Sequence, residues 1–438
     1  MRRAFAFSLC LVAALSHAFT ASARSLIRDS EIEHTLQMMM DPLSDAAGLP
    51  RDEIKLFIIA DKSLNAFISG GRSMFLHTGL LQTLETPEEL MAVMAHETGH
   101  VTAGHLIRRI AAFEQAQTQS IITTIIGVAA AAAGAGIGGV ALGTGAGQLA
   151  QRDLLRFTRS QEASADQASV VYMTRAGIDP EAALKVLERL EREQAYLIGN
   201  IDPYTLTHPL SRERIELLRQ NVSKSPALGE KASREIAYWH ARMRAKLDGF
   251  IDPPRDNGQA WKTMDEIDLY REAVNLHRLP APDRAVAAVD RLISMRPQDP
   301  YYRELKGQIL LESGRGPDSV APYRAALERA PGDALISSGL GEALLSVKSA
   351  DADAEALTIL EKAAIADPFD AGLRRPLAVA YSRAGNEGMA TVVTAERMAL
   401  SGRLRDAEVQ ARRAQSLLPE GSPGWLRADD VLALVPNR

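Results

Sequence analysis

The chain has 438 residues, enough for two or three domains at about 150 residues each. Hydrophobic residues make up 46% and charged residues 24%, which excludes a wholly disordered chain and a polytopic membrane protein. A formal charge of −5 gives no global basic field, so no nucleic-acid partner is expected, and the single cysteine, Cys10, excludes a disulfide framework or a cysteine-ligated zinc. Aromatics are only 5%, and the abundance of Ala and Leu favours packed helices, so the fold class is mainly α.

Residues 1–23 read as a secretory signal peptide. Arg2 and Arg3 form a basic start, Ala4 to Phe19 an apolar run, and Ala21-Ser22-Ala23 the small residues of a cleavage site. The run is shorter than the ~20 residues a membrane span needs. The expected location is the periplasm. Ile54 to Ile59, Asn65 to Ile68 and Met74 to Leu76 then read as three short strands of a small β-meander with a turn at Gly70-Gly71. Thr86-Pro87-Glu88-Glu89 combines a capping box with proline at the first helical position, and the helix it starts is expected to run to about Ile110.

From Gln115 to Gln151 there is no charged residue, and the centre, Ile121 to Ala150, is rich in Ala and Gly. Its eight glycines weaken it as one continuous helix. Three readings stand: an apolar lid near a site, a membrane-associated segment giving peripheral membrane contact, or a buried helical hairpin. Gly134-x-Gly136-x-x-Gly139 inside it resembles a dinucleotide fingerprint, but no strand precedes it and no acid follows at the ribose-binding distance. Two helices are expected over 153–198, divided by Gly177-Ile178-Asp179-Pro180, then one from His208 to about Gln220 and one from Ser233 to Leu247. Gly249 and Pro253-Pro254 mark a boundary. One domain is therefore expected over 24–252, a linker over 253–263 and a second domain over 264–438.

The second domain is repetitive. Pro297 and Pro331 lie 34 residues apart, the tetratricopeptide period. Gly307 and Gly341 occupy the small position of first helices, Ala285, Ala356 and Ala407 that of second helices, with Ala326, Ala363 and Ala414 nearer the helix ends. Tyr323 and Leu360 fill the large position between them. The reading is an α-solenoid of tetratricopeptide repeats, irregular at its end because Pro368 and Pro419 are 51 apart.

The chemistry centres on His96-Glu97-Thr98-Gly99-His100. Two histidines four apart share a helix face, so both imidazoles can meet one metal ion. Glu97 sits one step round, where it can reach a water beside that ion without displacing it, take its proton and return it to a leaving amine. A third ligand is required. His105, five residues beyond His100, lies about 140° round a continuing helix and should point away. Position 106, where the metzincin pattern needs a histidine, is leucine. Glu162 is the best candidate, and Asp166, four residues on, can accept the N–H of a ligand histidine and fix its tautomer.

His96-Glu97-x-x-His100, Glu162-x-x-x-Asp166 and His208-Pro209 followed by Arg214 together resemble the HtpX/BepA-type zinc metalloproteases, relatives of the CAAX prenyl proteases. Asn65-Ala66-Phe67 matches that family's substrate edge-strand motif. An export signal and C-terminal repeats resemble the periplasmic BepA-like branch. The resemblance implies a zincin-like domain of the gluzincin type, one Zn2+ per chain on His96, His100 and Glu162, and Glu97 as the catalytic residue. It implies that His208 stabilises the oxyanion or takes the fourth metal position at rest, with Arg214 supporting the same site. It further implies an exported endopeptidase acting on misfolded or stalled envelope proteins, with outer-membrane assembly machinery as a partner of the repeats. Prenyl-protein processing does not carry over, because those relatives span the membrane repeatedly. The alternative is a periplasmic repeat-containing chaperone or adaptor with a mostly latent metal site.

Overall fold

The computed structural model describes residues 26–69, 72–105, 159–196 and 208–435. The expected signal peptide and the apolar segment 115–151 lie outside the described residues. Among the described residues, no helix is long and apolar enough to cross a membrane. The chain divides into two compact units: residues up to Ile27 with 40–231, and Arg28–Met39 with 232–438.

The first unit contains β1 (Leu26–Ile27), β2 (Lys55–Ile59), β3 (Ala66–Ser69) and β4 (Ser73–His77), followed by the short α2 (Thr78–Thr83). The helix α1 (Ser30–Ala47) precedes β2 and contributes residues to both units. The sheet order is β1-β2-β4-β3, with β2 and β4 parallel and β3 antiparallel to β4. The three expected strands exist, but they do not follow one another as a meander. The β2–β3 loop crosses the end of β4 instead, held by the Asp61 backbone N–H donating to Thr78 and by Ser63 against His77 Nδ1 at 2.8 Å. Gly79 permits the crossing, since a Cβ there would sit 2.1 Å from the Lys62 carbonyl oxygen. Ile58, Met74, Leu76 and Ala66 bury one face of the sheet. Phe57, Phe75 and Phe67 stack in register on the other, at 5.1 and 5.0 Å between ring centroids.

Among the described residues, four helices complete this unit: α3 (Pro87–Thr102), α4 (Arg159–Arg175), α5 (Glu181–Tyr196) and α6 (Arg212–Val222). Both halves of the α3 capping box form, Thr86 accepting from the Glu89 N–H and Glu89 from the Thr86 N–H. The helix stops at Thr102, short of the expected Ile110. Ala103 caps it, and Gly104 adopts φ +60, a left-handed turn that ends helices. His208 is likewise not helical, because Ser211 is the α6 N-cap, its hydroxyl accepting from the Arg214 N–H.

The second unit is a row of helices: α7 (Arg234–Ile251), α8 (Glu266–His277), α9 (Pro282–Met295), α10 (Pro300–Glu312), α11 (Gly316–Leu327), α12 (Ala334–Val347), α13 (Ala350–Ala366), α14 (Arg374–Arg383), α15 (Glu387–Leu400), α16 (Leu404–Leu417) and α17 (Pro423–Ala433). Small residues meet large ones where the repeat pattern requires. A Cβ on Gly307 would lie 2.6 Å from the Tyr323 ring, and one on Gly341 2.5 Å from Leu360. Ala285, Ala326, Ala356, Ala363, Ala407 and Ala414 are all buried.

Residues 28–39 belong to this unit through charge as well as packing. Asp299, Asp333 and Asp367 are 34 apart, one per repeat. Arg28 donates to Asp367 at 2.6 Å, Ser30 to Asp333, and Glu31 reaches Asp299 through Arg242, whose Nε lies 2.8 Å from Glu31 Oε1. Lys246 binds Asp29 at 2.8 Å, and Tyr270 donates to Glu31. Arg242 and Glu31 are both fully buried. Removing one member of such a pair leaves an uncompensated charge in a dry site. Glu31→Ala should therefore destabilise the chain by roughly 3–5 kcal/mol. Denaturant unfolding monitored on the repeat helices checks this, and a midpoint equal to wild type would contradict it.

Candidate metal centre

Helix α3 is buried from Glu88 to His100, and His96, Glu97 and His100 lie in its last two turns. Helix α4 brings Glu162 in its first turn and Asp166 one turn later. The two helices approach closely at Gly99, where a Cβ would stand 3.0 Å from Ala165 Cα and 3.1 Å from Ala168 Cβ. Glycine in a helix interior costs about 1 kcal/mol relative to alanine. Here it lets Glu162 come within reach of both histidines. The third contribution comes from His208 and from Arg214 on α6.

The side chains converge. His96 Nε2 is 3.1 Å from His100 Nε2 and 3.5 Å from Glu162 Oε2. His100 Nε2 is 3.3 Å from Glu162 Oε1. His208 Nδ1 is 3.0 Å from Glu162 Oε1 and 3.4 Å from His96 Nε2. One donor atom from each of the four lies within 4.8 Å of all the others, and all four residues are buried. Ligands at about 2.0–2.1 Å around a tetrahedral ion stand about 3.3–3.4 Å apart, so these separations fit a zinc-sized ion. The donor set, nitrogen and carboxylate oxygen, fits zinc as well. Both Glu97 carboxylate oxygens are buried without a hydrogen-bond partner, one of them 3.5 Å from His208 Nε2. A buried carboxylate is rarely left so unless a functional group belongs beside it.

Arg214 ties the acids together. Its Nε and Nη2 donate to the two oxygens of Asp166 at 2.5 and 2.9 Å, and its Nη1 lies 2.6 Å from Glu162 Oε2. Asp166 Oδ1 in turn lies 3.0 Å from His96 Nδ1. Burial by itself raises the pKa of both acids. The charges of His208 and Arg214 overcome it at Glu162 and hold that carboxyl well below its ordinary range. Arg214 and His96 lower Asp166 in the same way. Glu162 gains further from its position at a helix N-terminus. Glu97 has no such cation bonded to it, and burial pushes its carboxyl up.

Of the residues singled out in the sequence, His96, Glu97, His100, Glu162, Asp166, His208 and Arg214 come together. Asn65, just before the strand β3, and Ala66 on it are buried and Phe67 is half-buried; β3 packs on α3. His105 corrects the expectation drawn from a continuing helix. It is buried, and its Nδ1 lies 3.0 Å from His100 Nδ1. Gly104 was the signal for this, a glycine just past the last helical turn. Gly99 was also legible as a small residue facing a second helix, once Glu162 was placed on one.

Residues 30–222 match the model of Peptidase family M48, and residues 281–334 and 308–371 match that of the tetratricopeptide repeat. The chain carries an M48 peptidase domain followed by tetratricopeptide repeats. Among its relatives, the beta-barrel assembly-enhancing protease of Yersinia pestis is 25% identical over 397 residues, 87% of this chain and 79% of that protein. The Escherichia coli K12 protein of the same name is 25% identical over 419 residues, covering 92% and 83%. Metalloprotease LoiP of Escherichia coli is 30% identical over 163 residues, 37% of this chain and 60% of that protein. The M48 chain is a zinc metalloendopeptidase.

The approach of α3 and α4 in the M48 domain is the packing feature on which the centre rests. Gly99→Val forces a branched side chain against the Ala165 backbone and should destabilise by roughly 1–3 kcal/mol, with reduced zinc in the purified protein. Unfolding midpoints and metal analysis measure both. Wild-type values for each would show that the ligand helices need no such contact.

Proposed function

We propose that one zinc ion per chain is held by His96, His100 and Glu162, and that Glu97 is the proton-transfer residue of peptide hydrolysis. The observation that carries this reading is a buried three-ligand cluster beside a carboxylate with no hydrogen-bond partner. A zinc ion held by these residues would supply Lewis acidity for the scissile carbonyl and for the attacking water. Glu97 takes the proton from that water and delivers it to the leaving amine. Asp166 accepts from His96 Nδ1 and keeps Nε2 free to ligate, while Arg214 holds Asp166 and Glu162 in place. Asn65, Ala66 and Phe67 support an extended substrate along β3, the edge strand among the described residues. His208 presents Nδ1 to the same cluster, which favours its role as a fourth donor at rest over a role confined to the oxyanion.

The relatives' name, and repeats that offer a partner surface, support a role in quality control or assembly of outer-membrane proteins. The chain would be exported to the periplasm, with stalled or misfolded envelope proteins as substrates and assembly machinery as partner of the repeats. A pure adaptor with a latent site is not favoured, because the residues hydrolysis needs are present and converge.

Glu97→Gln should retain zinc and lose at least about 10²-fold in cleavage of an unfolded peptide. Loss of the metal from a folded variant would make Glu97 a ligand instead. The same inactive variant should hold envelope proteins that it cannot cut, and retention of none would refute the recruiting role of the repeats. For His208, removal of a resting cap predicts that His208→Ala raises basal peptide cleavage. A fall of about 10²-fold would identify an oxyanion donor instead, and unchanged turnover would remove His208 from the mechanism.

A further inference from the structure

We propose that His105 is a positioning residue for the metal centre, accepting the Nδ1–H of His100 and so fixing the tautomer and ring plane of that ligand. The inference rests on the ligand set proposed above. His100 turns Nε2 towards the cluster, 3.1 Å from His96 Nε2 and 3.3 Å from Glu162 Oε1. An imidazole that ligates through Nε2 carries its proton on Nδ1, and that atom lies 3.0 Å from His105 Nδ1. His105 must therefore offer a lone pair at Nδ1 and carry its own proton on Nε2. Two N–H groups facing each other at this distance would repel. Both rings are buried, with centroids 5.1 Å apart and planes crossed at 66°, an arrangement that suits an in-plane hydrogen bond better than stacking.

The backbone is built for this contact. The helix α3 ends at Thr102, the Ala103 N–H donates to the Gly99 carbonyl, and the Gly104 N–H donates to that of Val101. Gly104 then takes φ +60, and a Cβ there would meet nothing within 4 Å. Space does not demand glycine at this position; the left-handed turn does. That turn brings residue 105 back beneath the ligand from which a continuing helix would have separated it. The two ligand histidines are thus backed differently: His96 by the carboxylate of Asp166 at 3.0 Å, His100 by a neutral imidazole.

The test uses the full chain with His105→Phe, which keeps the volume and removes the acceptor, and His105→Asn, whose Oδ1 stands where Nδ1 stood. Zinc affinity is measured by competition with a chromophoric chelator, and ligand geometry by the visible spectrum of the Co2+-substituted protein. The expected result is zinc affinity weaker by about 10–100-fold in the Phe variant, with shifted cobalt bands. The Asn variant should recover most of both, and the metal-free melting temperature should be unchanged in each. A Phe variant that binds zinc within a factor of about two of wild type, less than loss of a ligand's hydrogen-bond partner typically costs, overturns the proposal. So does equal loss in both variants accompanied by a lower metal-free melting temperature, which would make the role one of packing. Should the wild-type chain take up no zinc, the ligand set fails, and this proposal fails with it.

Discussion

Two buried carboxylates one helical turn apart, Glu162 and Asp166, are the feature the peptidase unit must accommodate, and the Arg214 guanidinium makes it possible. Alone, the pair would repel and lose hydration, and one member would protonate. Arg214 gives Asp166 a bidentate partner and Glu162 a close charge, so both stay ionised. The consequences run outward. An ionised Asp166 can accept from His96, which sets that ring. An ionised Glu162 can face His100 and His208 as a ligand. The helix that carries Arg214 is fixed by Ser211 at its N-cap and by Ile215, Leu218 and Val222 in the core. A basic residue 48 positions after the acid it serves thereby determines the orientation of a histidine on a third segment.

The same logic of charge buried by pairing recurs in the repeat unit, with a different outcome. There Arg242 sits between Glu31 and Asp299, and Lys246 between Asp29 and Glu31, all with partners satisfied. The cluster borders Glu304, one of whose carboxylate oxygens is also buried without a hydrogen-bond partner. Its ion pairs fix which segment lies along the repeats: a row of aspartates one repeat apart accepts a short sequence that begins Arg28-Asp29-Ser30-Glu31. Paired charges of this kind select an arrangement more reliably than they add stability.

What could be read from the sequence divides along the same line. Local rules held where the interaction is local. The capping box of Thr86 and Glu89, the shared face of His96 and His100, and the small-to-large match of Gly307 with Tyr323 are each set by a few positions of spacing. Glu162 was legible because its partner Asp166 lies one turn away. The sheet order was not, since pairing of β2 with β4 depends on a loop crossing permitted at Gly79, and periodicity carries no information about crossing. The approach of His105 to His100 escapes the spacing for a smaller reason. A helical period carried through Gly104 separates the two rings, whereas a glycine after the last buried turn marks a helix end. The attachment of residues 28–39 to the repeats depends on contacts more than 200 residues distant in sequence, for which a single chain offers no pattern short of the aspartate spacing itself.

The four donors of the centre are not held alike. His96, His100 and Glu162 stand on helices whose packing is fixed by the close approach at Gly99, so none can withdraw without separating α3 from α4. His208 precedes the first residue of α6, and its nearest helical anchor is the Ser211 cap three positions on. Arg214 reaches Asp166 and Glu162 from within the helix, and its Nη1 also donates to the Pro209 carbonyl. Glu97 and the four donors are all buried, and a peptide carbonyl must enter among them for hydrolysis to occur. Among the described residues, His208 meets Glu162 and His96 from outside any helix. A resting cap formed by His208 would therefore sit on a loop, while the three helix-borne side chains stay where the packing at Gly99 puts them.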